Sequence, residues 1–126
     1  MKKESVFTAN APAAIGPYSQ AVKSGGFLFT SGQLPIDPLT GKIPDGDIKF
    51  HAHQVFKNLK AIAEAAGTDL SSAVKTTVYL SSMKNFVSVN EVYAEYFSEP
   101  FPARSAFQVA ELPLGADVEV EAVFSL

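Results

Sequence analysis

The sequence predicts an α+β fold in which two helices cover one face of a mixed β-sheet. Two segments repeat apolar residues at helical spacing, and the segments around them alternate apolar and polar residues as strands do. The order reads as strands, helix, strand, helix and strands, which is typical of helices packed on one side of a sheet. With 126 residues, the chain is expected to form a single domain over residues 1–126.

The N-terminal part is predicted to contain three strands. The interpretation rests on alternation of apolar residues, on the turn Ser24-Gly25-Gly26 and on clusters of Pro, Gly and Asp that favour loops. The predicted elements are, in order, a strand over 4–8, a loop over 9–17, a strand that Tyr18 opens over 18–23, a returning strand over 27–33 and a loop over 35–46.

A helix is predicted over residues 48–66, with Asp47 as its N-cap and Gly67 at its end. Seven apolar residues form one stripe at helical spacing, at positions 52, 55, 56, 59, 62, 63 and 66. His51 and His53 lie two residues apart, so they cannot share a helix face, and they are expected to be solvated or capping residues rather than metal ligands.

The second half is predicted to hold a strand, a helix and two further strands. The strand over 74–80 places Val74, Thr76, Val78 and Leu80 on one face. The helix begins at Lys84 or Asn85 and runs to about residue 98, with its apolar side formed by Phe86, Val89, Tyr93, Tyr96 and Phe97. In the last strand, over 117–125, alternation places three carboxylates on one face: Asp117, Glu119 and Glu121. The strand before it covers 104–110.

Composition limits the possible functions. The formal net charge is −3 and the chain has no basic run, so binding of nucleic acid through charge is not expected. The absence of cysteine excludes disulfides, thiolate catalysis and Cys-ligated metals, and it fits a cytoplasmic protein. Neither a secretory signal nor a membrane-spanning segment is expected.

Arg104 is the only arginine in the chain; the other cationic side chains are lysines. It follows two prolines and enters a predicted strand. A guanidinium can hold a carboxylate or a phosphate through two parallel hydrogen bonds. From the residues, two interpretations stay open: an anion clamp, or a structural arginine that pairs with Glu119 or Glu121 of the last strand.

Several motifs, in the same order along the chain, resemble one family. They are FPARSAFQVAELP at 101–113, VEVEA at 118–122, NAPAAIGPYSQAV at 10–22, LFTSGQLP at 28–35, NLKAIAEAAGTDL at 58–70 and VKTTVYL at 74–80. Together they make the sequence similar to the RidA (YjgF) family of reactive intermediate deaminases from about Asn10 to Ala122. The resemblance implies a chorismate-mutase-like fold, with three subunits that pack their sheets into a central barrel and with sites in the clefts between subunits.

The resemblance also implies an activity. Small 2-imino acids and their enamine tautomers, such as 2-iminobutanoate and 2-iminopropanoate, would be hydrolysed to 2-keto acids and ammonia without a cofactor or a metal. The alternative is a homotrimer that binds small carboxylates and regulates without significant turnover. A ribonuclease is disfavoured because the chain is acidic and has one arginine, and a chorismate mutase would normally need several cations.

Residue roles follow from the matching motifs. Arg104 corresponds to the carboxylate clamp, Glu119 to the residue that holds the water and takes its proton, and Tyr18 to a phenol at the substrate. Five further positions are expected to bind substrate, partly through their backbone: Ser31, Gly32, Asn90, Ser105 and Ala106. Many members of the family have cysteine in place of Ala106, so any thiol chemistry of the family is not expected in this chain.

Overall fold

The computed structural model describes residues 2–126 and contains six strands and two α-helices. The elements are β1 (Glu4–Val6), β2 (Ala21–Ser24), β3 (Phe27–Thr30), α1 (Ile48–Ala65), β4 (Ala73–Leu80), α2 (Phe86–Tyr96), β5 (Ala103–Gln108) and β6 (Val118–Ser125). None of the helices in this part of the chain has both the length and the apolar content needed to cross a bilayer.

All six strands belong to one sheet with the order β1-β2-β3-β6-β4-β5. Only β4 and β5 run parallel, which is possible because α2 connects them; the other pairs are antiparallel. The predicted α+β class, with a mixed sheet and two helices, is confirmed. Because β5 is an edge strand, β4 lies between it and β6.

Helix α1 packs its apolar stripe on the sheet as predicted. All seven stripe positions are buried: Ala52, Val55, Phe56, Leu59, Ile62, Ala63 and Ala66. Asp47 caps the helix, since its side chain accepts a 2.9 Å hydrogen bond from the backbone N–H of Phe50. This burial fixes one face of the sheet as the core face.

The opposite face of the sheet, called here the open face, is not covered by any helix. Its aromatic side chains form two neighbouring pairs, Phe27 with Phe29 and Tyr79 with Phe107. Phe27, Phe29 and Phe107 keep between 42% and 49% of their surface exposed. An apolar face with this degree of exposure is typical of a surface that another protein subunit covers.

The strands of the N-terminal part have different boundaries from those predicted. β1 ends at Val6 rather than at residue 8. β2 begins at Ala21 rather than at Tyr18, so Tyr18 lies in the preceding loop. β3 ends at Thr30, and beyond it only Gln33 bridges to Val120. The prediction for Val74 is wrong as well: a bulge between Ala73 and Lys75 shifts the alternation, so Val74 is exposed although Thr76, Val78 and Leu80 are buried.

His51 is neither solvated nor capping, which corrects the prediction made for it. Its Nδ1 lies 2.9 Å from Asp117 Oδ2, and its Nε2 lies 2.7 Å from the carbonyl oxygen of Pro44. Both ring nitrogens face acceptors, an arrangement that only the doubly protonated imidazolium satisfies. His51 therefore ties the start of α1 to the long loop before it and to the residue that precedes β6.

Candidate active site

Arg104 lies at the start of the edge strand β5, on the core face of the sheet. It pairs in register with Thr76, which is fully buried under α2. One guanidinium nitrogen donates a 2.6 Å hydrogen bond to Oδ1 of Asn90 in α2. The guanidinium carbon lies 4.8 Å from the centre of the Tyr93 ring and 5.5 Å from that of Phe86, so two aromatic rings flank the cation.

Tyr93 holds its ring in place through a buried hydrogen bond. Its hydroxyl lies 2.8 Å from the Thr76 hydroxyl on the central strand β4. Burial raises the pKa of Tyr93 above its ordinary value, so the phenol stays neutral. A polar contact inside the core thus orients the aromatic surface on which Arg104 rests.

A cavity of about 400 Å³ opens beside the guanidinium. Its walls are mostly apolar, and they are formed by Asn90, Tyr93, Ala94, Phe101, Pro102 and Arg104. A concave, largely apolar pocket with one fixed cation suits a small organic anion.

The structural interpretation of Arg104, as the partner of Glu119 or Glu121, is wrong. Strand β4 separates β5 from β6, so these residues are not on neighbouring strands. Glu119 pairs with Tyr79 and Glu121 with Thr77, and both carboxylates therefore lie on the open face. Arg104 lies on the other face, where its partner is the amide of Asn90.

Glu119 is half-buried on the open face, against Gly32. A Cβ atom added to Gly32 would overlap the Glu119 carboxylate, so the close approach requires glycine at this position. Burial raises the pKa of Glu119, and the nearby charge of Glu121 raises it further. A carboxylate with a raised pKa is a better proton acceptor than one in water.

Glu121 has a partner of its own, which the sequence did not reveal. The Tyr79 hydroxyl donates a 2.5 Å hydrogen bond to Glu121 Oε1, and this bond raises the pKa of Tyr79 to about 12. Among residues 2–126, no side chain donates such a bond to Glu119. Glu121 therefore already accepts a hydrogen bond from Tyr79, whereas Glu119 can accept a proton from a substrate or water, although alternation places both on one face.

Tyr18 and Gly32 share the wall of a second, smaller cavity of about 50 Å³. Tyr18 is about half exposed and lies in the loop before β2. The Ser31 hydroxyl donates a 2.6 Å hydrogen bond to the carbonyl of Ser19, so it braces the residue next to Tyr18. Tyr18, Ser31, Gly32 and Glu119 thus lie in one region, here called the carboxylate half-site.

Of the remaining predicted residues, Asn90 and Ala106 lie on the Arg104 side of the sheet, in what we call the arginine half-site. Ala106 is on the core face opposite Val78, and its backbone runs along the edge of the sheet. Ser105 points to the open face, where its hydroxyl accepts a 3.0 Å hydrogen bond from Lys75. Within residues 2–126, no three side chains of His, Asp or Glu gather as a metal ion would require.

Comparison with known proteins places this architecture in a family. A family model described as Endoribonuclease L-PSP matches residues 8–125, and a RutC family protein from Pyrococcus horikoshii is 57% identical over 121 residues, which are 96% of each chain. The chain belongs to the YjgF/RidA family.

Two further YjgF/RidA relatives carry more specific names. The human protein named 2-iminobutanoate/2-iminopropanoate deaminase is 48% identical over 118 residues, 94% of this chain and 86% of its own. The crystal structure of Escherichia coli TdcF with bound serine has a TM-score of 0.92 and 39% identity, with 98% of both chains covered. The family shares its fold with this chain over nearly the whole length.

The sequence predicts Arg104, Asn90 and Glu119 as site residues, but it does not indicate two contacts beside them, that of Tyr93 with Arg104 and that of Tyr79 with Glu121. Tyr93 was interpreted as a core residue, and its contact with Arg104 depends on how α2 crosses β5. No local pattern indicates the bond from Tyr79 to Glu121, because 42 positions separate the two residues. A usable signal for the Tyr93 contact is the presence of aromatic residues on the helix that precedes the only arginine, because aromatic rings often pack against a guanidinium.

Proposed function

We propose that this chain is an imine deaminase that hydrolyses small 2-imino acids and their enamines to 2-keto acids and ammonia. One observation carries the proposal. Arg104 and the half-buried Glu119 each lack an ion-pair partner among residues 2–126, and they lie on opposite faces of one sheet. The relatives named as imine deaminases support the same activity.

The complete site requires a second subunit. The arginine half-site and the carboxylate half-site of one chain cannot reach the same small substrate, because the sheet lies between them. In a homotrimer, the arginine half-site of one subunit would face the carboxylate half-site of its neighbour. The exposed aromatic residues of the open face, such as Phe29 and Phe107, would be buried by the same assembly.

In this site Arg104 binds the carboxylate of the imino acid through two parallel hydrogen bonds. Because C2 is bonded to that carboxylate, the clamp also fixes the plane of the C=N bond and the direction from which water can attack. Asn90 and Tyr93 hold the guanidinium in place. The cavity beside it has room for a short aliphatic side chain.

Glu119 orients a water molecule and takes its proton as the oxygen attacks C2. The product of this step is a tetrahedral carbinolamine, whose nitrogen receives a proton and leaves as ammonia while the C–O bond becomes a carbonyl. The balance is one imino acid and one water in, one 2-keto acid and one ammonia out. Tyr18 contributes a hydrogen-bonding phenol next to Glu119, and backbone groups at Gly32 and Ala106 contact the reacting atoms.

A competition assay tests the proposal. Threonine dehydratase generates 2-iminobutanoate, semicarbazide traps it, and the purified protein is expected to lower the trapped fraction. Arg104→Ala should lose this effect because it lacks the clamp. Lys57→Ala, which removes an exposed cation of α1 outside both half-sites, is the matched control and should retain it. Equal trapping with and without wild-type protein would reject the deaminase activity.

A binding role without turnover is the second candidate, favoured by the serine bound to the relative TdcF. Binding of a small carboxylate needs Arg104 but makes no demand on Glu119. Calorimetry with 2-oxobutanoate separates the two functions: a binding protein shows affinity without any effect in the trapping assay, and Glu119→Gln leaves its affinity unchanged.

A further inference from the structure

A buried glutamine connects the loop that carries Tyr18 to the rest of the fold. Gln20 is only 3% exposed and directly precedes β2. Its side-chain oxygen accepts a 2.7 Å hydrogen bond from the backbone N–H of Thr8. Its side-chain nitrogen lies 2.8 to 3.3 Å from the carbonyl oxygens of Thr8, Ala11 and Pro12.

These bonds occupy both N–H groups of the Gln20 amide and one of the two acceptor positions of its oxygen. The two N–H groups are shared among three carbonyl oxygens, and the oxygen is occupied by Thr8. Residues 8–12 form no strand or helix, and Gln20 supplies partners for the carbonyl groups of Thr8, Ala11 and Pro12. Loss of the amide would leave these buried and partly buried carbonyl groups without that donor, which is unfavourable.

The backbone on the other side of Gln20 is joined to the carboxylate half-site. Its carbonyl accepts a 2.9 Å hydrogen bond from the backbone N–H of Ser31, the neighbour of Gly32. The Gln20 side chain also lines the small cavity that Pro12, Tyr18 and Gly32 enclose. Gln20 therefore contacts both walls of this cavity, one that includes Pro12 and one that includes Gly32.

We infer that Gln20 is a positioning residue that sets the placement of the Tyr18 phenol relative to Glu119. It lies two residues from Tyr18, and its amide fixes residues 8–12 of the loop between β1 and β2 that also carries Tyr18. The inference rests on the proposed function, since it assigns to Gln20 the alignment of two residues that the proposed reaction uses. Arg104 lies on another strand and is not touched by this network.

Kinetic coupling between Gln20 and Tyr18 tests the inference. Gln20→Leu is expected to lower kcat about tenfold, as Tyr18→Phe does, and the double variant should be no slower than the slower single variant, because residues that act as a unit are non-additive. The inhibition constant of 2-oxobutanoate should change less than about twofold, because Arg104 binds the carboxylate of this product. Losses that multiply in the double variant, or an unchanged kcat in Gln20→Leu, overturn the inference.

Hydrogen exchange supplies a readout that does not depend on turnover. In Gln20→Leu, amides of residues 8–18 are expected to exchange faster while those of β4 and β6 keep their protection. Gln108→Leu is the matched control, since Gln108 is an exposed glutamine that caps Met83 outside this network. Faster exchange throughout the sheet would mean a general structural role and overturn the inference. A lack of turnover in wild type would reject the proposed function without deciding the role of Gln20. Unchanged exchange of residues 8–18 in Gln20→Leu would overturn that role, whether or not wild type turns over.

Discussion

Arg104 and Glu119 belong to the same sheet but point to opposite sides of it. Their strands flank β4, where Arg104 pairs with Thr76 and Glu119 with Tyr79, three residues further along. Two strand spacings and a three-residue offset separate their Cα atoms by about 14 Å. A 2-imino acid of four carbons cannot span that distance through a sheet, so one chain by itself cannot place both groups on one substrate.

This relationship predicts complementation between two inactive variants. Arg104→Ala and Glu119→Gln should each be inactive alone, yet in the proposed homotrimer mixed assemblies should contain sites with an intact arginine from one subunit and an intact glutamate from the next. Random equimolar mixing is expected to restore about a quarter of wild-type activity, because a site needs the right subunit at both positions. The variants are unfolded together, refolded and assayed by semicarbazide trapping. Complete inactivity of the refolded mixture, with wild type refolded in parallel as control, would contradict a site shared between two subunits.

Gly32→Ala should reduce activity through Glu119. The added methyl group would occupy the position of the Glu119 carboxylate, and the flexible glutamate can move aside without disturbing the core. We expect kcat to fall about tenfold or more while Tm changes little, since proton transfer requires placement within hydrogen-bond distance. Inhibition by 2-oxobutanoate should stay close to that of wild type, because Arg104 holds the carboxylate. An unchanged kcat, or a loss of activity that a large fall in Tm accompanies, would contradict this account of Gly32.

Glu121→Gln should move the acid limb of the pH profile to lower pH. Burial, and then the charge of Glu121, raise the pKa of Glu119, and Glu119 must be ionised to accept a proton. The substitution removes the second cause and keeps an oxygen that can accept the hydrogen bond of Tyr79. The measurement is kcat/KM against pH on the acid side, compared with wild type. A limb that stays in place or moves up would contradict this assignment of the base.

His51 should make stability depend on pH near neutrality. Burial disfavours its charged form, but the hydrogen bonds to Asp117 and Pro44 and the charges of Asp117 and Asp47 outweigh burial and raise the pKa of His51. A raised folded-state pKa stabilises the protein fully below about 6.5, the unfolded value, and this contribution is lost as pH rises through the folded value. Urea unfolding at several pH values should show that loss in wild type and a smaller one in Asp117→Asn. The same pH dependence in both proteins would contradict the role of this pair.

Tyr93→Phe should destabilise the fold more than its lost hydrogen bond alone suggests. It leaves the fully buried Thr76 hydroxyl without a partner, at a cost of about 1–3 kcal/mol. Thr76→Val combined with Tyr93→Phe removes both polar groups and is expected to be more stable than the sum of the single effects predicts. Free energies of unfolding of the four proteins in urea give the coupling directly. Strict additivity would show that the two hydroxyls do not interact.

Local sequence patterns, formed by residues only a few positions apart, were sufficient to predict much of the fold. The stripe on α1, the alternation of β6 that places Glu119 beside Glu121, and the lone Arg104 after two prolines all depend on local spacing, which the sequence displays directly. The same locality explains the error at Val74, because one extra residue in a bulge reverses the alternation.

The sequence by itself determined the fold class, the buried faces of the helices and which side chains are chemically able to bind a carboxylate or accept a proton. Only the tertiary structure decided which residues meet. In the folded chain, β4 lies between the strands of Arg104 and Glu119, and the Arg104 guanidinium donates a hydrogen bond to Asn90. His51 contacts Asp117, which is 66 positions away in the sequence. The reason is physical: periodicity reports which side of an element is buried, whereas strand order and helix placement are set by the packing of the whole core, to which distant segments contribute together.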